Sequence, residues 1–200
     1  MRFEADILYH VYNRGNDGLQ LFYEPGDYGL FLRKMRALLT PHCHLLAYCL
    51  MPNHFHLLLQ PTPAGAVTDN SSSTTRQPLT RGLATLLSSY TQALNPRLQR
   101  QGALFQPKTK SKPLNGPFQA AYYPLTYFHY IHQNPSRAGL TNQLDGWPYS
   151  SYRDYAGLRS GTLCDQTLAA ELLALPTDTT QFVAEAAAII DWERVRGAWV

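Results

Sequence analysis

Two hundred residues, 44% of them hydrophobic, suffice to bury a continuous core and exclude a chain disordered throughout. No apolar run, residues 47–51 and 57–59 included, nears the length that spans a bilayer, and MRFEADILYH at the start lacks a signal-peptide layout, so a soluble cytoplasmic protein is expected. The net charge of +3 hides a segregation: residues 70–144 carry eight Lys/Arg and no carboxylate, which suits a polyanionic partner, with a solvated basic face beside an acidic tail as the competing reading.

Residues 7–15, ILYHVYNRG, are rich in β-formers and run into the turn-prone NRGNDG, which predicts a strand leaving into a loop. PGDYGLFLRKMRALLT then sets Tyr28, Phe31, Leu32, Met35, Leu38 and Leu39 at helical spacing behind Pro25, a residue suited to a first turn. Residues 45–51 and 54–60 read as two strands joined tightly through Pro52 and Asn53. Residues 61–78 are almost all Pro, Gly, Ser, Thr and small residues, the composition of a flexible loop. A second helix follows in LTRGLATLLSSYTQALN, with Leu79, Leu83, Leu86, Leu87, Tyr90 and Leu94 on one face and a stop before Pro96. GALFQPKTKSKPL reads as an extended basic segment, YPLTYFHYIHQN as a third helix ending at Pro135, and residues 165–190 as helical without legible chemistry. The order β-α-β-β-loop-α-β-α predicts an α+β, ferredoxin-like (RRM-like) antiparallel sheet with helices packed on it.

Side chains two apart on a strand share a face, so in MPNHFHLLLQ (51–60) His54 and His56 point one way and Phe55 and Leu57 the other. Two neutral imidazoles so placed can hold one divalent ion. Taken alone, the pattern favours ordinary strand histidines, because the chain has seven histidines and a second such pair in His42 and His44, which is expected to be no metal site. The cysteines Cys43, Cys49 and Cys164 lack C-x-x-C spacing, so neither a disulfide framework nor a cysteine zinc site is indicated.

MPNHFHLLL, with YHVYNRG upstream and YIHQNPSRAG downstream, resembles the ordered signatures of the single-tyrosine HUH transposases. The likeness is to the insertion-sequence-200-like group and above all its REP-associated tyrosine transposase branch. GALFQ and WPYSSY also look like landmarks of that family, so the resemblance runs from about Tyr9 to Tyr155. It implies an HUH endonuclease fold over residues 1–157, with residues 158–200 a helical extension. Carried over residue by residue, His54 and His56 match the metal-binding pair, Asn134 the amide-bearing third ligand, and Tyr130 the nucleophile. Tyr130 and Asn134 are four apart and so stack on one helix face.

What the resemblance implies is a Mg²⁺- or Mn²⁺-dependent strand transferase acting on single-stranded DNA beside hairpins, through a 5′-phosphotyrosine link and a free 3′-hydroxyl. Tyr127, one turn before Tyr130, is the rival nucleophile, with core packing as its expected role. His129 and His132 are expected at the surface or facing DNA. Arg14, Arg97, Arg100, Lys108, Lys110, Lys112 and Arg137 are the expected phosphate contacts. Either a monomer or a homodimer is compatible with the family. The alternative reading is a hairpin-binding regulator of repeat elements that does not cleave. An RNA-binding sheet domain lacks its aromatic signature here, and a zinc hydrolase lacks the acidic base of H-E-x-x-H.

Overall fold

The computed structural model describes residues 1–68, 76–114, 122–188 and 190, the side chain of Tyr122 apart. Strands β1 (Tyr9–Arg14), β2 (Cys43–Met51), β3 (His54–Pro61) and β4 (Lys110–Pro113) form one antiparallel sheet in the order β2-β3-β1-β4. Helix α1 (Pro25–Leu38) connects β1 to β2, and α3 (Pro78–Arg97) lies between β3 and β4. This is the ferredoxin-like order predicted from the sequence. After β4 come α4 (Tyr122–Arg137), α5 (Tyr152–Tyr155), α6 (Gln166–Leu173) and α7 (Thr179–Ala186).

Three boundaries differ from the sequence reading. Within the expected 61–78 loop, Pro63–Ala66 form a helical turn, α2, because Thr62 Oγ1 accepts the Gly65 N–H and Pro63 needs no partner in a first turn. Residues 69–75 of that loop lie outside the described residues, as do 191–200 of the C-terminal extension. Helices α3 and α4 both run through their prolines, Pro96 and Pro135, instead of stopping before them. So near a C-terminus the missing N–H costs little, and amides beyond it still reach back one turn: Leu98 to Leu94 O (3.1 Å) and Ala138 to Asn134 O (3.0 Å).

Each face of the sheet buries its own core. One face carries Val11, Leu45, Tyr48, Leu50, Phe55, Leu57 and Leu59 against Phe31 and Met35 of α1 and Leu83, Leu86 and Tyr90 of α3. On the opposite face Ala47, Cys49, Met51 and Leu58 meet Tyr127, Phe128, Tyr130 and Ile131 of α4, backed by Phe182 of α7. Alternation along β3 divides its residues between these cores, and a bulge between Leu45 and Ala47 lets Leu46 join the second. No described helix is long and apolar enough to cross a membrane.

The outer edge of β2 is covered by the WPYSSY segment. Leu50 N–H donates to Tyr149 O (2.9 Å), Ser151 N–H to Tyr48 O (3.0 Å), and Trp147 Nε1 to Leu50 O (3.0 Å). Arg159 locks the segment by reaching Asp154 Oδ2 (2.9 Å), Tyr48 Oη (3.0 Å) and Ser150 O (2.8 Å). The chemistry of this landmark is therefore structural: it pairs backbone groups that would otherwise form an open sheet edge.

Gly82 seats α3 against the end of α1, since a Cβ there would lie 2.3 Å from Leu38 O. Alanine would gain helix propensity of up to about 1 kcal/mol, yet the overlap with a backbone oxygen outweighs that gain. Gly82→Ala is expected to destabilise by about 1–3 kcal/mol, read as a Tm lowered by several degrees in thermal unfolding.

Candidate active site

The ladder between β1 and β3 pairs Arg14 with His54, Tyr12 with His56 and His10 with Leu58; β4 sets Lys110 opposite Tyr12 and Lys112 opposite His10. Directly paired residues share a face. His10, Tyr12, Arg14, His54, His56, Lys110 and Lys112 therefore project to the side covered by α4, behind which the apolar α1–α3 layer supplies a rigid floor. Tyr130 of α4 stands edge-on to His56 with ring centroids 5.4 Å apart, and His54 and His56 are 5.0 Å apart. Asn134, one turn after Tyr130, donates Nδ2–H to Tyr130 O (2.8 Å), which leaves its amide Oδ1 as the atom able to accept.

Burial dominates the electrostatics. It pushes His54 down to about 4, with the Arg14 charge adding to the effect, and holds His56 well below the ordinary histidine range, helped by His10 and His54. Both imidazoles are thus neutral near pH 7, the form that binds a cation. His54 Nδ1 lies 2.7 Å from Asn53 Oδ1, an acceptor, so the proton sits on Nδ1 and Nε2 is the ring nitrogen that carries the lone pair. His56 Nδ1 is likewise engaged, by His10 Nε2 at 2.9 Å. Among the described residues no three His, Cys, Asp or Glu side chains gather as a metal group, so beyond the two imidazoles an ion here would need a donor of another kind. Two imidazoles with an amide oxygen could take Mg²⁺ or Mn²⁺, though they favour such hard ions less than carboxylates would.

Two tyrosines compete. Tyr127 is fully buried, with its ring 4.9 Å from His10 and its hydroxyl 3.1 Å from Lys112 Nζ. Burial raises its pKa, as does the hydroxyl of Tyr123. Tyr130 is also buried, and it is the one set against His56.

Of the expected phosphate contacts, Arg14, Lys108 and Lys110 line a cleft of about 120 Å³ together with His54, Tyr12, Asn13 and Gln106. The 104–110 segment is tied to the end of β1 through Gln106 N–H to Arg14 O (2.9 Å) and Asn13 Nδ2 to Thr109 Oγ1 (2.9 Å). Lys112 instead lays its ammonium over the rings of Tyr123 and Tyr127, 5.2 and 5.5 Å from their centroids. Arg97 and Arg100 are not brought to this face. Arg97 is ion-paired with Asp27 and with Glu24, and Arg100 bonds Asn95 Oδ1 (2.7 Å) and Ala103 O, at the end of a helix on the other layer. Arg137 lines a separate cleft with Leu144, Asp145 and Val183.

His129 and His132, expected at the surface, are buried inside the α4 layer: packing of α5 and α7 onto α4 covers the helix face that the sequence left open. His132 Nε2 meets Ser151 Oγ at 2.7 Å, and the His129 ring lies beside Phe182. Burial lowers His129 to about 4, below the usual 6.5 of an unfolded chain. The unfolded state thus binds the extra proton first, and stability present above pH 6.5 drains as pH falls toward 4. About 2 kcal/mol is expected to be lost by pH 5 from this residue, and the gap between denaturant titrations at pH 7.5 and 5 should narrow by about that amount in His129→Gln, the other buried histidines, His10, His54, His56 and His132, keeping the rest of the pH dependence. The pair His44 and His42 stays outside the site: His44 Nδ1 contacts Asp165 Oδ2 at 2.9 Å, tying β2 to the cap of α6.

Sequence reasoning missed His10, Tyr12, Asn13 and Gln106. The alternation of His10 and Tyr12 in YHVYNRG was visible, but the strand against which β1 pairs, and hence the face those two share with His56, was not; Asn13 and Gln106 reach the cleft from the end of β1 and from the 104–110 segment.

A structure of a REP-associated tyrosine transposase bound to a REP hairpin superposes on 82% of this chain and 91% of its own, with a TM-score of 0.56 and 18% sequence identity. The chain has the fold of a REP-associated tyrosine transposase. No protein-family model matches the sequence, and no curated protein matches it either. Since the transposase fold covers four-fifths of the chain at 18% identity, the likeness rests on backbone architecture, and site roles must stand on the side chains themselves.

Proposed function

We propose that this protein is a metal-dependent, single-stranded DNA strand transferase that acts beside hairpins, with Tyr130 as nucleophile. One observation carries the reading: Tyr130 stands against His56 on the sheet face that also presents His54 and a carboxylate-free cationic cleft. The solved transposase that shares this fold was bound to a REP hairpin, which points to the same class of DNA here.

His54, His56 and Asn134 would hold a Mg²⁺ or Mn²⁺ ion, whose contribution when bound is to polarise a phosphate oxygen. Arg14, Lys108 and Lys110 would position the strand through its phosphates, with no sequence readout. Tyr130 Oη, giving up its proton, bonds to phosphorus as the bond to the 3′ oxygen breaks, leaving a 5′-phosphotyrosine and a 3′-hydroxyl. Because the exchange conserves a phosphodiester-like bond, a second 3′-hydroxyl can reverse it without ATP.

Hairpin-bearing single strands labelled at either end, incubated with Mn²⁺, should give a covalent protein–DNA adduct on a denaturing gel. The burial of Tyr130, only 1% exposed, favours a second reading, a hairpin binder that does not cleave, because a hydroxyl so buried must be uncovered before a phosphodiester reaches it. Tight binding without adduct under any divalent ion would select that reading. Under either one, Arg14→Ala and Lys108→Ala should each flatten the dependence of log affinity on log salt by roughly 0.7, measured by filter binding across a salt series.

A further inference from the structure

We infer that His10 is the positioning residue of the proposed metal site: its Nε2 accepts the Nδ1–H of His56 and so keeps the His56 Nε2 lone pair for the cation. The inference rests on the reading of His56 as a metal ligand and extends it to a residue that touches neither metal nor DNA.

His10 and His56 are both fully buried, and their ring nitrogens meet at 2.9 Å, so one ring must donate and the other accept. Two arrangements are possible for neutral rings. If His10 donates from Nε2, the single proton of His56 resides on its Nε2, and that atom cannot bind a cation. If His56 donates from Nδ1, its Nε2 carries a lone pair and His10 keeps its own proton on Nδ1. Only the second arrangement is compatible with an ion. His10 Nδ1 finds no hydrogen-bond partner among the described residues, so no contact on that side of the ring fixes its proton and its Nε2 is able to accept from His56.

The surroundings hold His10 in place for this task. Tyr12 stacks on it at 4.9 Å and 18°, His56 lies nearly parallel at 5.1 Å and 15°, and Tyr127 and Tyr130 approach at 4.9 and 5.8 Å. A ring packed on several sides cannot swing to another partner. His54 has the equivalent support from Asn53 Oδ1, so each proposed ligand histidine has its Nδ1 engaged by a neighbouring side chain.

Two measurements on the full chain test this. Long-range ¹H–¹⁵N NMR of histidine-labelled protein, without metal and with saturating Mg²⁺, reads the tautomer. The metal-free protein should show His56 in a mixture, and the Mg²⁺ form a single Nδ1–H tautomer. Electron paramagnetic resonance titration of Mn²⁺ should show binding about 10–100-fold weaker in His10→Leu, with His10→Gln close to wild type because its amide oxygen can accept the same proton. Metal-free hairpin binding should be equal in all three and reports correct folding. An Nε2–H tautomer for His56 in the Mg²⁺ form overturns the inference, as does wild-type Mn²⁺ affinity in His10→Leu, and either leaves the proposed function standing. Hairpin binding by a wild-type protein that takes up no Mn²⁺ would remove the metal site and this inference together.

Discussion

Tyr130→Phe is expected to abolish the DNA–protein adduct, lowering its rate of formation by at least about 10³-fold, while hairpin affinity and Tm stay near wild type. The substitution removes only the hydroxyl: phenylalanine keeps the ring packing against His56, His10 and Tyr127. Tyr127→Phe is the informative control. It loses the contact with Lys112 Nζ and with the Tyr123 hydroxyl but keeps the adduct, because its ring borders His10 and not His56 in the cluster. Adduct formation by Tyr130→Phe at the wild-type rate would transfer the nucleophile's role to another of the tyrosines crowded on α4.

The second large effect is expected at the histidine pair. His54→Ala or His56→Ala should weaken Mn²⁺ binding by more than the roughly 10–100-fold that loss of an outer partner costs, and adduct formation should fall with it. His56→Ala should also lower Tm, since it empties a fully buried position between His10 and Tyr130. His44→Ala provides the contrast within the same molecule. Its hydrogen bond with Asp165 is partly solvated, so at most about 1 kcal/mol of stability is at stake and Mn²⁺ affinity should not change. Calorimetric Mn²⁺ titration of the three variants checks this directly, and equal loss in His44→Ala and His54→Ala would mean that the two pairs had been wrongly distinguished.

Much of this architecture was legible because period-2 alternation is a local property. The sequence H-F-H-L-L-L in β3 places Phe55 and Leu57 in one core and sends His54 and His56 to the other face wherever the strand sits. Helical spacing likewise identified α1 and α3, and the i, i+4 relation of Tyr130 and Asn134 survives in the Asn134 side chain bonded to Tyr130 O.

What escaped depended on partners distant in sequence. The proximity of His10 to His56 follows from β1–β3 register, which no single strand encodes. Basic residues were equally ambiguous. Arg97 is consumed by Glu24 and Asp27, some seventy positions away, and Lys112 by aromatic rings, whereas Arg14, Lys108 and Lys110 converge on one cleft. His129 and His132 looked exposed on an isolated helix. Helices α5 and α7, whose docking no local pattern announced, bury them.

The most direct test of the whole account is to map the DNA-bearing residue. Hairpin-bearing single-stranded DNA would be reacted with the wild-type chain in Mn²⁺, the adduct digested with nuclease and protease, and the residual nucleotide located by peptide mass spectrometry. The expected result is a single phosphotyrosyl linkage at Tyr130, formed through the 5′ phosphate. A linkage at Tyr127, or hairpin binding with no linkage in any divalent ion, would contradict it.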